Sequence, residues 1–288
     1  QFNTTGMSLF KTLKKGAVNA ASSYKLILFI WATTLVITLA VAYPLKTSFN
    51  MIFGNSMAIG RISDGFDIGI AGDIGRPFGA LIASVSAAGL LLGTVGFFIM
   101  TFYAGGLFRR FTLAWGRLRV SDFLRASAGN FIPFLKIALL MMLIIGAYTF
   151  ALIGLPGIIK MTISGSQMPT GKIMYLFFAL WALGLPVWLF VSDASRRWIA
   201  ATGSKKVFRA LGAGFRALGE RFWLSYLTVL AVLVINAVFI ALLLWFAASA
   251  TPDRGIMVFL FFIATQSLFI IRLFMKAWRY AAVCEATQ

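Results

Sequence analysis

Six long apolar runs, separated by polar stretches, dominate the pattern of the chain. They fall at about 26–44, 78–104, 135–155, 173–191, 222–248 and 256–275. Each is close to the ~20 residues a helix needs to cross a bilayer. The second and fifth are long enough to tilt or protrude. The pattern predicts an all-α polytopic membrane protein with six transmembrane helices.

The polar stretches have a period of their own. On a wheel of roughly 100° per residue, Val207, Phe208, Leu211, Phe215, Leu218 and Phe222 share one arc. Lys205, Lys206, Arg209, Arg216 and Glu220 share the opposite one. Aromatic and Leu residues facing Lys and Arg make an interfacial helix, lying flat at the membrane surface. The spacing of Phe208, Leu211 and Gly214 recurs as Phe10, Leu13 and Gly16, and as Phe123, Ala126 and Gly129, each just before an apolar run. The ends of the even-numbered runs also look alike: Phe108-Arg109-Arg110, Arg196-Arg197-Trp198 and Lys276-Ala277-Trp278-Arg279. We therefore expect three repeats of an interfacial helix plus a two-helix hairpin, at about 8–110, 121–200 and 204–285. Two spans per unit is an even number, so the repeats would be parallel, around an axis normal to the membrane. Residues 1–6 precede Met7 and are read as a remnant foreign to the fold, leaving one membrane domain over 7–288.

Composition agrees with the pattern. Hydrophobic residues are 60% and charged residues 12% of the chain, as in integral membrane proteins. A net charge of +18 would suggest a nucleic-acid partner in a soluble domain. Sorted by loop, 20 Lys and Arg lie on the side of the termini and six on the other. The positive-inside rule then places both termini in the cytoplasm of a bacterial inner membrane, and no nucleic acid is needed to explain the charge. Trp115, Trp198 and Trp278 lie among these basic residues, where headgroup-level aromatics belong.

Several chemistries are excluded or weakened. There is no histidine, so His-ligated metals and His-based acid/base schemes are out. The sequence holds no HExxH, P-loop or GxSxG motif. We expect no enzyme activity, no cofactor and no metal. The single cysteine, Cys284, forms no intrachain disulfide and is either a juxtamembrane acylation site or incidental.

The candidate sites each have a bland alternative. Asp64, Asp67 and Asp73 lie in a Gly-rich loop on the side with few basic residues. They could bind a cation, but they lack the EF-hand register and also suit local turns. Asp193 precedes Arg196 and Arg197 at helical spacing, as a relay or as an ion pair closing the span. Asp122 with Arg125 and Arg216 with Glu220 are spaced alike. Inside the spans, Asn236, Thr265, Gln266 and Ser267, with Arg272 nearby, form a binding or transport site, or serve as interhelical glue. No acidic residue lies deep in a span, which argues against a carboxylate-based proton carrier. Gly89 and Gly93 form a GxxxG packing motif, and Pro186 after Gly184 predicts a kink in span four. Lys205, Lys206, Arg209, Arg216, Arg109, Arg110, Arg196 and Arg197 are candidates for anionic lipid headgroups.

The segments Ala104-Gly105-Gly106-Leu107-Phe108-Arg109, Ser121-Asp122-Phe123 and Asn130-Phe131 carry a family likeness. Through them the chain resembles bacterial six-span membrane proteins that include the membrane domain found beside glycerophosphodiester phosphodiesterases. The resemblance implies a helical bundle with interfacial helices. It implies no catalytic residues, because the catalytic part of those phosphodiesterases is a separate domain, absent here. The expected function is a non-enzymatic membrane scaffold or accessory subunit with a basic, lipid-contacting cytoplasmic face. The alternative is a transporter component with a path along the pseudo-threefold axis. Expected partners are anionic membrane lipids and a partner membrane protein or a second copy of the chain.

Overall fold

The computed structural model describes residues 8–53, 76–113, 119–162, 170–249 and 255–287. Asp64, Asp67 and Asp73 lie outside them. The described residues form helices α1 (Leu9–Ser22), α2 (Tyr24–Phe53), α3 (Arg76–Leu113), α4 (Val120–Thr149), α5 (Leu155–Thr162), α6 (Thr170–Thr202), α7 (Val207–Glu220), α8 (Phe222–Ser249) and α9 (Gly255–Ala286). A π-helical turn, Phe150–Gly154, joins α4 to α5. Six stretches are long and apolar enough to span a membrane: Tyr24–Thr47, Ile82–Leu113, Val120–Ile159, Met174–Thr202, Phe222–Leu242 and Phe259–Ala286. The protein is an all-α, polytopic integral membrane protein.

The spans in α3, α6 and α9 run further than the apolar pattern suggested. Helix continues to Leu113, Thr202 and Ala286, through the basic segments read above as exits. Basic residues do not stop a helix; a left-handed glycine does. Gly203, with φ +66°, ends α6, and its N–H donates to the Ile199 carbonyl at 2.8 Å, a C-terminal glycine stop.

The three segments expected to be interfacial helices are not all alike. α1 breaks from α2 at Ser23, whose hydroxyl donates back to the Asn19 carbonyl at 3.1 Å. α7 breaks from α8 at Arg221, which has φ −141° and ψ 55°. In the segment around Phe123 no break occurs: α4 runs unbroken for 30 residues with the buried Pro133 inside it. Beyond it the ladder widens into the π turn just before Pro156. A proline there has no N–H to give and clashes with the preceding turn, and a π turn absorbs both.

Two compact units divide the chain, one holding Phe29–Met100 and the other the residues up to Leu28 with those from Thr101 onward. In the first, hydroxyls turn back onto their own helix. Thr34 donates to Ile30 at 2.8 Å, Thr38 to Thr34 at 2.9 Å and Ser84 to Ala80 at 2.9 Å. This local bonding removes them as a polar site. A cleft of about 380 Å³ lies between α2 and α3, lined by Ala40, Val41, Pro44, Leu45, Ser84, Ala87, Ala88 and Leu91. Among the described residues of this unit, a Cβ added at Gly89 or Gly93 would meet nothing within 4 Å.

The second unit holds the main core, and the core sits at one end. Phe108, Phe123, Phe134, Phe190, Val191, Ala200, Ala281 and Val283 have no exposed surface. All lie near the ends of α3, α6 and α9 or in the first half of α4. We call this the basic end, since it also carries most of the Lys and Arg of the unit.

Candidate functional site

Close helix approach organises the basic end. The start of α4 packs on the end of α3: a Cβ at Gly106 would sit 2.5 Å from the Phe123 ring and from Ser127 Oγ. α7 packs on the end of α6, where a Cβ at Gly214 would lie 2.8 Å from the Val191 carbonyl. α1 packs on the end of α9, where a Cβ at Gly16 would lie 2.8 Å from the Ala282 backbone. Each entry segment thus rests on the exit of the segment before it, and the first rests on the last. Small residues permit such approach where lipid supplies no hydrophobic drive between helices. The matched triplets do not share one face, however. Gly16 and Gly214 lie in the contacts, whereas Gly129 has open space around it. Phe10 and Phe208 are exposed, whereas Phe123 is fully buried.

Polar bonds then fasten these contacts. Trp278 Nε1 donates to the Leu13 carbonyl at 2.9 Å. Asn19 donates to Glu285 at 2.9 Å, and Lys15 lies 3.9 Å from the same carboxylate. Arg109 donates from α3 to the Ala200 carbonyl of α6 at 2.9 Å. Arg197 donates from α6 to the Thr287 carbonyl just past α9. Asp193 is the centre of the set. It has no exposed surface and accepts from Arg279 Nε at 2.8 Å and from Arg196 at 3.4 Å. Arg279 also lies over the Tyr280 ring, 5.4 Å from its centroid.

The spacing of Asp193 with Arg196 and Arg197 predicted a pair, and Arg196 does reach the carboxylate, at 3.4 Å. Arg279, 86 residues away, forms the tighter bond, and α6 does not end there. Arg109, Arg196 and Arg197, proposed as headgroup contacts, donate to protein acceptors. Among the described residues, neither Asp122 with Arg125 nor Arg216 with Glu220 forms an ion pair. Cys284 is 1% exposed and lies 4.0 Å from the Thr112 hydroxyl, so its thiol is out of reach of an acylating enzyme.

The helix α7 presents three faces, not two. Ala210, Leu211, Gly214 and Leu218 are buried. Phe208 and Phe215 are exposed, the latter edge-on to Trp188. Lys205, Lys206, Arg209 and Arg216 are exposed on the remaining side. An apolar arc read from sequence merges the first two faces, because a wheel does not distinguish protein from lipid.

The intramembrane candidates separate. Thr265 and Ser267 are exposed and donate to carbonyls of their own helix at 2.8 and 2.9 Å. Gln266 is half-buried beside them. Asn236 and Arg272 come together instead. They line a pocket of about 300 Å³ between α8 and α9, with Lys276, Arg279, Val232, Leu233 and Met275. Lys276 and Arg279 were not among the candidates. Their signal was legible as cations at i, i+4 and i+7 from Arg272, on one helical face.

The predicted kink region of α6 gains partners from two neighbours. Pro186 leaves the preceding turn short of a donor. The Tyr148 hydroxyl donates to the Leu180 and Trp181 carbonyls at 2.8 and 3.1 Å, and the Tyr226 hydroxyl donates to Leu183 at 3.0 Å. These bonds reach carbonyls on either side of Ala182, the i−4 position whose acceptor Pro186 leaves unserved.

The chain matches no protein-family model, no curated protein and no solved structure.

Proposed function

We propose that the protein is a non-enzymatic scaffold or accessory subunit of the bacterial inner membrane. In this reading both termini and the basic end face the cytoplasm, and that end contacts anionic lipid. The observation that carries it is the division among the basic residues. Arg109, Arg197 and Arg279 tie α3, α6 and α9 together, while Lys205, Lys206, Arg209 and Arg216 stay exposed on α7. The first set fixes the bundle and the second is left for a surface. Exposed Phe208 and Phe215 on the adjoining face suit the acyl boundary of that surface.

Packing favours a scaffold over a transport path. The Phe108 ring has no exposed surface and fills the space between α3, α4 and α9. Its centroid is 4.6 Å from Tyr280 and 5.8 Å from Phe134. The pocket lined by Asn236 does not take in Gln266, the other polar residue a path would use. The order of entry-on-exit contacts supports three parallel units as the plan of the scaffold. A partner membrane protein or a second copy would complete its role.

Changing Lys205, Lys206, Arg209 and Arg216 together to Gln tests the lipid contact. Co-purifying anionic lipid, measured by mass spectrometry, should fall while the six-span topology holds, because 16 basic residues remain on that side against six opposite. Unchanged lipid content in the variant would refute the role given to α7.

A further inference from the structure

The pocket between α8 and α9 has a charge balance that the protein does not complete by itself. Arg272, Lys276 and Arg279 line it on one face of α9, with Asn236 opposite on α8. Among the described residues, Asp193 is the one carboxylate within ion-pair distance of this group, and it is shared between Arg279 and Arg196. Among the described residues, no acidic group pairs with Arg272 or Lys276. Cations at a membrane span are paired or lead to a ligand.

Depth narrows the ligand. Arg272 lies 17 residues into α9, counted from Gly255, or about 26 Å along the helix at 1.5 Å per residue. The hydrocarbon core is ~30 Å thick, so the three cations straddle its boundary at the basic end, where lipid phosphates lie. Towards the opposite end, α8 exposes Val238, Phe239 and Leu242, and α9 exposes Phe259, Leu260 and Ile263. Those faces suit acyl chains continuing from a headgroup in the pocket. Arg279 is preset, held by Asp193 at 2.8 Å and lying over Tyr280, so binding need not order it. A volume of about 300 Å³ admits a phosphate with a small polar substituent.

We propose that this pocket is a phosphate site whose occupant is the headgroup of an anionic phospholipid, held by Arg272, Lys276 and Arg279 with Asn236 as a neutral hydrogen-bonding partner. The proposal rests on the lipid-contacting reading above but assigns a stoichiometric site distinct from the α7 surface. An oxyanion among three cations gains charge-assisted hydrogen bonds, and the apolar faces add affinity that free phosphate lacks.

The test uses the full chain, purified in detergent and delipidated. It is titrated with short-chain phosphatidylglycerol, zwitterionic phosphatidylcholine of the same chain length, and inorganic phosphate. Phosphatidylglycerol should saturate at one per chain and bind well above phosphatidylcholine. The double variant Arg272→Gln, Lys276→Gln should weaken it about tenfold or more, since each removes a charge-assisted contact. Should the double variant fail to fold, the charge-preserving pair Arg272→Lys, Lys276→Arg should retain single-site saturation. Inorganic phosphate binding as tightly as the lipid, with the same loss in the double variant, would keep the phosphate site and overturn its lipid occupant. Wild-type affinity in a folded double variant, no preference for phosphatidylglycerol, or loss of saturation in the charge-preserving pair would overturn the site itself. Failure of the α7 surface alone leaves this titration unchanged, so the two ideas fail separately.

Discussion

Within the larger unit, the two ends of the helices are held in different ways. At the basic end, helices approach closely at Gly16, Gly106 and Gly214, the first and last against a neighbouring backbone, and the Asp193–Arg279 ion pair and Arg-to-carbonyl bonds cross between them. At the opposite end, Val238, Leu242, Leu244 and Trp245 of α8 and Tyr175, Leu176 and Phe178 of α6 are exposed. The polar contacts there serve a local need: Tyr148 and Tyr226 supply donors near Pro186, and Trp181 donates to Thr149 at 3.0 Å. Apolar runs extend through both ends in sequence. The difference shows that apolarity places helices in lipid, whereas small residues and paired polar groups decide which helices adhere.

Breaking the central pair should have the largest effect. Asp193→Ala leaves the part-buried Arg279 without its carboxylate, and losing one partner of a fully buried pair costs about 3–5 kcal/mol, an upper bound here. Thermal unfolding in detergent should shift strongly downward. Leu244→Ala, at the exposed end, should barely move the transition. Equal shifts from the two changes would erase the contrast between the ends.

An intermediate effect is expected from the small residues. Gly214→Val places side-chain atoms against the Val191 carbonyl, and such overpacking costs about 1–3 kcal/mol. Gly89→Val, with open space around it, should be nearly silent. Thermal stability and elution volume of the two variants, side by side, check this. A silent Gly214→Val would mean that α7 is free to lift from α6.

The smallest effect belongs to Tyr148→Phe, which removes one hydroxyl donor and costs about 1 kcal/mol. Faster amide exchange should appear in α6 around Pro186 and not at the basic end. Exchange that rises equally at both ends would argue that the two regions unfold together.

What sequence determined is what depends on near neighbours along the chain. Six apolar runs suffice for six membrane helices, because lipid forces each run to satisfy its own backbone. Pro186 was legible as a local defect of α6, because a missing N–H depends on the residue alone. Arg272 and Asn236 were legible as candidates because polar side chains inside apolar runs stand out. The pairing of Asp193 with Arg279, 86 residues away, was not legible. Helical spacing offered Arg196 and Arg197 first, and only packing of α6 against α9 places Arg279 nearer. Tertiary structure also divided the basic residues into those that bond protein and those left exposed, and it split the apolar arc of α7 into a protein face and an exposed aromatic face. It gathered Asn236, Arg272, Lys276 and Arg279 into one pocket while leaving Thr265 and Ser267 outside. The physical reason is common to all of these: apolar period fixes that a face is shielded from water, but what shields it is chosen by the neighbouring helix.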